Sequence, residues 1–181
     1  MTHLAHLLSS TRTQVCFISE TKNSSISRLS LINRFNASDG FVVPALGHSG
    51  GLWLIWKQDV LITVVDHSDH YIFTLCNNKL DNQNSGLVCI YGDPYHRLLD
   101  NIWMHVYSFV QNNPNLPIFC MGDMNEILHP HEKHRPGRAD VRRMNLFRDA
   151  IKRCAFIDLG YSGPAYTWSN KRFTSAPTFQ D

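Results

Sequence analysis

The sequence predicts an α/β protein in which two β-sheets pack together and helices cover them, and three observations carry that prediction. Five strand-like runs follow one another with no helical pattern between them: "GFVVPAL" (Gly40–Leu46), "GLWLIWK" (Gly51–Lys57), "VLITVVD" (Val60–Asp66), "YIFTLCNN" (Tyr71–Asn78) and "GLVCIYG" (Gly86–Gly92). They are rich in Val, Ile, Phe and Tyr and are punctuated by Gly, Asp, Asn and Ser, the composition of half-buried strands. Helical spacing appears before and after this block but not inside it, which excludes a strictly alternating, doubly wound sheet. Finally, 181 residues with 43% apolar and 18% charged composition suffice for one domain with a substantial core, residues 1–181.

Each element can be justified in order. "TQVCFISE" (Thr13–Glu20) reads as a short buried strand closing on an acid. "ISRLSLINRF" (Ile26–Phe35) spaces its apolar residues as a short helix does, and the five strands follow. In "HRLLDNIWMHVYSFVQNN" (His96–Asn113), Leu98, Leu99, Ile102, Trp103, Val106, Phe109 and Val110 form one apolar stripe that stops before Pro114. "LPIFCMGD" (Leu116–Asp123) is the next strand. "DVRRMNLFRDAIKRC" (Asp140–Cys154) is a helix with Asp140 as N-cap and Met144, Phe147 and Ile151 facing inward. "AYTWSNKRF" (Ala165–Phe173) is the last strand.

Several function classes are bounded by composition. A formal charge of +2 neither demands nor excludes a polyanionic partner. The five cysteines are an odd number without C-x-x-C pairing, each in an apolar context, and read as buried thiols of a reducing compartment. No apolar run approaches the ~20 residues of a membrane span. "MTHLAHLLSS" has no basic region followed by a long apolar core, so no secretory signal and an intracellular location are expected.

The stretch "IFCMGDMNEIL" (Ile118–Leu128) raises the chemical question, because an apolar strand ends in Asp123, Asn125 and Glu126. Glu20 closes another strand in the same way. Strand ends are rigid and open onto the rim of a sheet, where substrates sit. Glu20 and Asp123 with Asn125, two carboxylates and an amide, are oxygen ligands suited to a hard cation such as Mg2+. Asp123 and Asn125 also suit an Asx-turn or a cap on the following segment, and spacing alone leaves both readings open.

The boxes around these residues resemble those of the endonuclease/exonuclease/phosphatase superfamily, in the form found in plant LINE-type retrotransposons. "GDMNEIL" is similar to G-D-[FM]-N-E-I-L, "FISETK" to L-x-E-T-K, and "GHSGGLWLIWK" to G-x-S-G-G-L-A-L-L-W-K. "VCIYGDP" is similar to V-Y-G-x-P, and "HEKHRPGR" stands where the family has an E-K-x-G-G loop. "FIDLGYSGPAYTWSNKR" resembles D-L-G-x-x-G-x-x-F-T-W-S-N-x-R. The six boxes run in the family's order over nearly the whole chain. The resemblance implies a DNase I-like four-layer α/β/β/α sandwich and a metal-dependent phosphodiester hydrolase acting on DNA. It implies Glu20 as ligand of Mg2+ (Mn2+ as a substitute), Tyr91 as a phenol near the scissile phosphate, and Asp123 as the group that aligns or deprotonates water. Asn125 is then a donor to a phosphate oxygen. Thr167, Trp168 and Asn170 match the segment near the nucleic acid, while Trp168 also suits a core position. No small organic cofactor and no membrane partner are implied, and a nuclear location follows if the substrate is DNA.

Two departures from the family pattern shape the expectation. The family's opening strand, with the Asn of W-N-x-R-G, and its closing R-L-D-R and S-D-H segments have no counterpart, so a domain incomplete at both ends is expected. Groups that act as a unit lose most of their effect when one is removed, so activity is expected to be weak or absent in this chain. "HSDHY" contains Ser68, Asp69 and His70, but it precedes Tyr91 and Asp123, whereas the family's S-D-H comes last; it is read as a hairpin turn. A non-catalytic nucleic-acid-binding or interaction module, and a phosphatase of the same fold, are the alternatives. "LHPHEKHR" brings His129, His131 and His134 together but places no cysteine or second cluster to close a zinc site. "HEKHRPGRADVRR" (His131–Arg143), the one basic-rich stretch, reads as a solvated face or a phosphate-backbone contact. Trp53 and Trp56 are expected in the core or on a sheet face.

Overall fold

A computed structural model describes residues 2–11, 13–95, 99–134, 140–160, 162–163, 168–169 and 179–180. The chain divides into two compact units, Met1–Tyr91 with Phe109–Asp123, and Gly92–Ser108 with Met124–Asp181.

The first unit holds the two sheets. Helix α1 (Thr2–Ser10) leads into β1 (Val15–Ile18), followed by α2 (Arg28–Phe35), β2 (Asp39–Val43) and β3 (Leu52–Trp56). The first sheet has the order β1-β3-β2, with both pairings antiparallel. Next come β4 (Val60–His67), β5 (Tyr71–Asn78), β6 (Gln83–Tyr91), helix α3 (Leu99–Asn112) and β7 (Ile118–Asp123). They form a sheet of order β4-β5-β6-β7, antiparallel except for the parallel β6–β7 pair. Parallel neighbours need a crossover, and α3 provides it. The N-terminal part of α3 belongs to the second unit and its last residues to the first.

Strand alternation explains the layers. On β3, Leu52, Leu54 and Trp56 join Ile72, Cys76, Leu87, Cys89 and Tyr91 of the other sheet in one buried cluster. Their neighbours Trp53 and Ile55 point the other way, against Leu8, Leu31 and Phe35 of α1 and α2. With period 2, β3 is buried on both faces, more than the half-buried strand expected, and its unbroken apolar run suits that position. On the outer face of the second sheet, Phe73 stacks on Tyr71 with ring centroids 4.2 Å apart and meets Phe109 of α3 at 5.1 Å. Helix, sheet, sheet and helix thus follow in the order expected, and Trp53 and Trp56 are core residues. Cys76 and Cys89 are buried, and burial pushes both thiols up.

Helix α2 begins where Ser27 accepts a hydrogen bond from Ser30 N, and ends at Asn36, which adopts the left-handed conformation at φ 47°. Arg28 holds Asp39 by an ion pair and donates to Gly40 O at 3.0 Å, fastening the helix to the first residues of β2.

The second unit contains α4 (Val141–Arg153), the N-terminal part of α3, a 3₁₀ turn (Pro130–Glu132) and three two-residue strands, β8 (Lys133–His134), β9 (Trp168–Ser169) and β10 (Phe179–Gln180). These strands pair in the order β8-β10-β9. Asp140 caps α4 by accepting from Arg143 N at 3.1 Å, as expected. Met144, Phe147 and Ala150 form its buried stripe, with Ile151 half-buried beside them. Trp103 of α3 lies against Phe147 with ring centroids 5.5 Å apart. Cys154, the C-cap, is buried, and burial pushes its thiol up to about 11. Of the strand expected at Ala165–Phe173, only Trp168 and Ser169 lie among the described residues. No helix among the described residues is long and apolar enough to cross a membrane.

Candidate active site

In the first unit the C-terminal ends of β1, β6 and β7 carry the residues singled out in the sequence. Glu20 lies two residues past the end of β1, at φ 53°, and Lys22 follows at φ 51°. Neither Glu nor Lys favours this left-handed region, and such conformations persist only where surrounding structure imposes them. Here the imposing structure is the Gly50–Gly51 turn. Thr21 N donates to Gly51 O at 3.2 Å and Lys22 N to Gly50 O at 3.0 Å. Gly51, at φ 86°, has no room for a side chain, because a Cβ there would stand 2.4 Å from Thr21 Oγ1. The "GHSGGL" box therefore acts as the mould for the "ETK" box.

The Glu20 carboxylate is held from two sides. Tyr91, the last residue of β6, donates its phenolic hydrogen to Glu20 Oε1 at 2.6 Å across 71 residues of sequence. Lys22 Nζ stands 3.5 Å from Oε2, and both side chains of that ion pair are largely solvated. An exposed pair of this kind contributes little to stability, so its importance is the charge it sets beside the carboxylate. Tyr91 is buried among the inter-sheet residues, leaving its hydroxyl as a polar tip on an apolar body. His70, in the β4–β5 turn, has its ring nearly parallel to that of Tyr91, at 10° with centroids 6.2 Å apart. The turn is the one expected of "HSDHY", with Ser68 Oγ accepting from His70 N at 3.1 Å.

Asp123 is the last residue of β7, and the parallel register sets it level with Tyr91 on the neighbouring strand. Its approach is possible because Gly122 precedes it. Gly122 has φ 136°, and a Cβ there would fall 1.9 Å from Ile90 O. The structure thus brings Glu20 and Tyr91 into contact and sets Asp123 beside Tyr91 in register.

Asn125 belongs to the second unit. It adopts φ 52°, a conformation Asn tolerates better than most residues, and donates Nδ2 to Gly92 O at 2.8 Å. A Cβ on Gly92 would meet Met124 O at 1.9 Å, so Gly92 and the Met124–Asn125 backbone require one another. Glu126 points inward, with a side chain only 3% exposed, and pairs with Arg143 Nη2 of α4 at 2.8 Å. Arg148 Nε of the same helix donates to Leu128 O at 2.6 Å, and Leu128 N donates to Glu132 at 2.8 Å. Helix α4 therefore fastens the segment just beyond "GDMN". His129 and His131 stack with ring centroids 5.3 Å apart. Thr167 and Asn170 lie outside the described residues, and of Trp168 only the backbone in β9 is described.

Three features escaped sequence reasoning: the left-handed Glu20 and Lys22, the His70–Tyr91 neighbourhood, and the inward-facing Glu126. The tandem glycines of "GHSGG" signal the first of these. The third had a signal in the arginines of α4, since a buried acid needs a cation.

The chemistry of the Glu20 corner fits Mg2+ or Mn2+. Mg2+ binds through one or two carboxylates and keeps several waters, and Glu20 offers a half-exposed carboxylate oriented by Tyr91. Among the described residues no three His, Cys, Asp or Glu side chains gather as a metal cage.

A family model for the endonuclease/exonuclease/phosphatase family matches residues 1–179. The chain belongs to the endonuclease/exonuclease/phosphatase family. Solved structures of similar fold include the endonuclease domain of TRAS1, a telomere-specific non-LTR retrotransposon. It has a TM-score of 0.68 at 11% identity, covering 99% of this chain and 78% of that one. The AP endonuclease LMAP from Leishmania major has a TM-score of 0.73 at 13% identity, covering 99% of this chain and 73% of that one. The 3'-5' exonuclease NExo from Neisseria meningitidis has 0.63 at 12%, covering 99% and 80%. At these identities the likeness establishes the fold of this family member, the DNase I-like sandwich. No curated protein matches the chain significantly.

Proposed function

We propose that the chain is a Mg2+-dependent phosphodiester hydrolase that acts on DNA, with weak activity, of the plant LINE-type retrotransposon branch of its family. The observation that carries this reading is the Tyr91–Glu20 hydrogen bond of 2.6 Å, with Asp123 in register beside Tyr91. Three residues from three distant boxes meet at one rim, in an arrangement that an Asx-turn or a helix cap does not need. The branch is supported by the six ordered boxes and by a structural relative whose own description is a retrotransposon endonuclease domain.

In this reading Glu20, oriented by Tyr91 and flanked by Lys22, is the residue that holds the cation. Bound there, Mg2+ neutralises charge that develops on the phosphoryl oxygens. Asp123 orients the attacking water and takes its proton as the water oxygen bonds to phosphorus and the bond to the leaving sugar oxygen breaks. Asn125 donates to a phosphoryl oxygen, and its left-handed backbone and its bond to Gly92 fix where its amide lies. The Thr167–Asn170 segment contacts the nucleic acid. Acting on DNA, such a protein works in the nucleus.

A substrate panel tests the class. Supercoiled plasmid and a set of inositol phosphates are incubated with the protein in Mg2+, Mn2+ or EDTA. Conversion of plasmid to open circles in either metal, absent in EDTA and without release of inorganic phosphate from the inositol phosphates, is expected. Phosphate release without nicking reassigns the site to a phosphatase.

A further inference from the structure

We infer that His70 is a positioning residue for the metal-holding corner, acting on Glu20 through Tyr91. The inference rests on the reading of Glu20 as the cation-holding residue. The β5–β6 ladder closes with Tyr71 opposite Ile90, so the next pair, His70 and Tyr91, lies just beyond regular pairing. On its other side Tyr91 is in register with Asp123 of β7, so the β5 side is where the regular ladder ends. His70 holds that end twice: its carbonyl accepts from Tyr91 N at 2.7 Å, and its ring Nδ1 lies 3.0 Å from Tyr91 O.

A carbonyl only accepts, so the second contact assigns the proton to Nδ1. One residue thereby engages both backbone groups of Tyr91. The turn that presents His70 is itself fixed, with Ser68 N donating to Tyr71 O at 2.9 Å and Ser68 Oγ accepting from His70 N. Strand β4 carries a bulge between Val64 and Asp66 just before this turn, which re-aims the strand end.

What this clamp secures is the phenol. Tyr91 is buried to 6% exposure, so the direction of its O–H toward Glu20 follows from its backbone position and the packing around its ring. The nearly parallel His70 ring flanks that side chain. Loosening the backbone of residue 91 therefore loosens the 2.6 Å bond that orients the Glu20 carboxylate. Partners one step removed from a metal ligand set its orientation and affinity in this way. The "HSDHY" segment is then a structural turn whose histidine serves the site without belonging to the family's closing S-D-H.

The test uses three substitutions and two readouts. His70→Ala and His70→Leu remove the ring donor, whereas His70→Asn retains an N–H that reaches the Tyr91 carbonyl. The first readout, without metal, is the Tyr91 ring resonance in protein labelled at tyrosine carbons, assigned with Tyr91→Phe. The second is Mn2+ affinity from the paramagnetic resonance of free Mn2+, with Glu20→Gln alongside and thermal unfolding as the check on folding.

The expected result is that His70→Ala and His70→Leu shift the Tyr91 resonance as Glu20→Gln does and weaken Mn2+ binding about tenfold. His70→Asn is expected to stay near wild type in both. A wild-type resonance in folded His70→Ala or His70→Leu, or a His70→Asn as impaired as those two, overturns the inference. If Glu20→Gln binds Mn2+ as well as wild type, the metal reading fails, and the resonance alone then decides the role of His70.

Discussion

At the scale of single residues, the site is shaped as much by glycines as by acids. Gly122 brings Asp123 level with Tyr91, because only a residue without Cβ fits 1.9 Å from Ile90 O at φ 136°. Gly122→Ala forces the β6 and β7 ends apart as well as straining the backbone. A loss of about 3 kcal/mol of unfolding free energy is expected, from overpacking together with a disfavoured φ. Urea denaturation checks it, and an unchanged midpoint contradicts the packing described for this strand end. Gly50→Ala, whose added Cβ meets nothing within 4 Å, carries only the cost of its φ of 71°. That variant serves as the control. Glu20 and Lys22 show what a sequence conceals at this scale. The apolar run before Glu20 announces a strand end, but no propensity rule assigns an acid to the left-handed region, because a distant glycine turn imposes it.

At the scale of elements, the first unit was largely legible. The continuous apolar runs "LWLIW" and "YIFTLC" suit strands buried on two faces, and β3 and the first half of β5 have that character. Asp140 announced the start of α4, and the stripe from Met144 to Ile151 gave its buried face to within one residue. What the periodicity of α4 does not reveal is its polar work. Arg143 and Arg148 both reach the segment following "GDMN", and a contact between residues 17 positions apart leaves no trace in local spacing. Arg143→Met leaves the Glu126 carboxylate buried beside an apolar side chain. Removing one partner of a buried pair costs about 3–5 kcal/mol, and partial exposure of the Arg143 side chain, 31%, lowers the expectation to about 2 kcal/mol. The double variant Glu126→Leu with Arg143→Met should recover much of that loss, since a matched apolar pair removes the buried charge. Denaturation of both proteins checks the pair. Equal losses in the single and double variants count against a stability role for it.

At the scale of the whole molecule, order was more informative than any single box. "GDMNEIL" alone is compatible with a turn, whereas six boxes in sequence imply a sandwich whose strand ends converge, and the first unit has that sandwich. The meeting of Glu20 with Tyr91 across 71 residues is a property of that topology and is invisible to local pattern. The resemblance anticipated it only because it carried the fold with it. The central claim is that this rim hydrolyses phosphodiesters in DNA, with Glu20 holding the cation and Asp123 managing the water. The most direct measurement is the rate at which supercoiled plasmid becomes open circular in Mg2+, compared between the wild-type chain, Glu20→Gln and Asp123→Ala. Slow nicking by the wild type, lost on either substitution in proteins that unfold at the wild-type temperature, is the predicted result. Nicking that persists unchanged in Asp123→Ala, or none by the wild type in either Mg2+ or Mn2+, contradicts it.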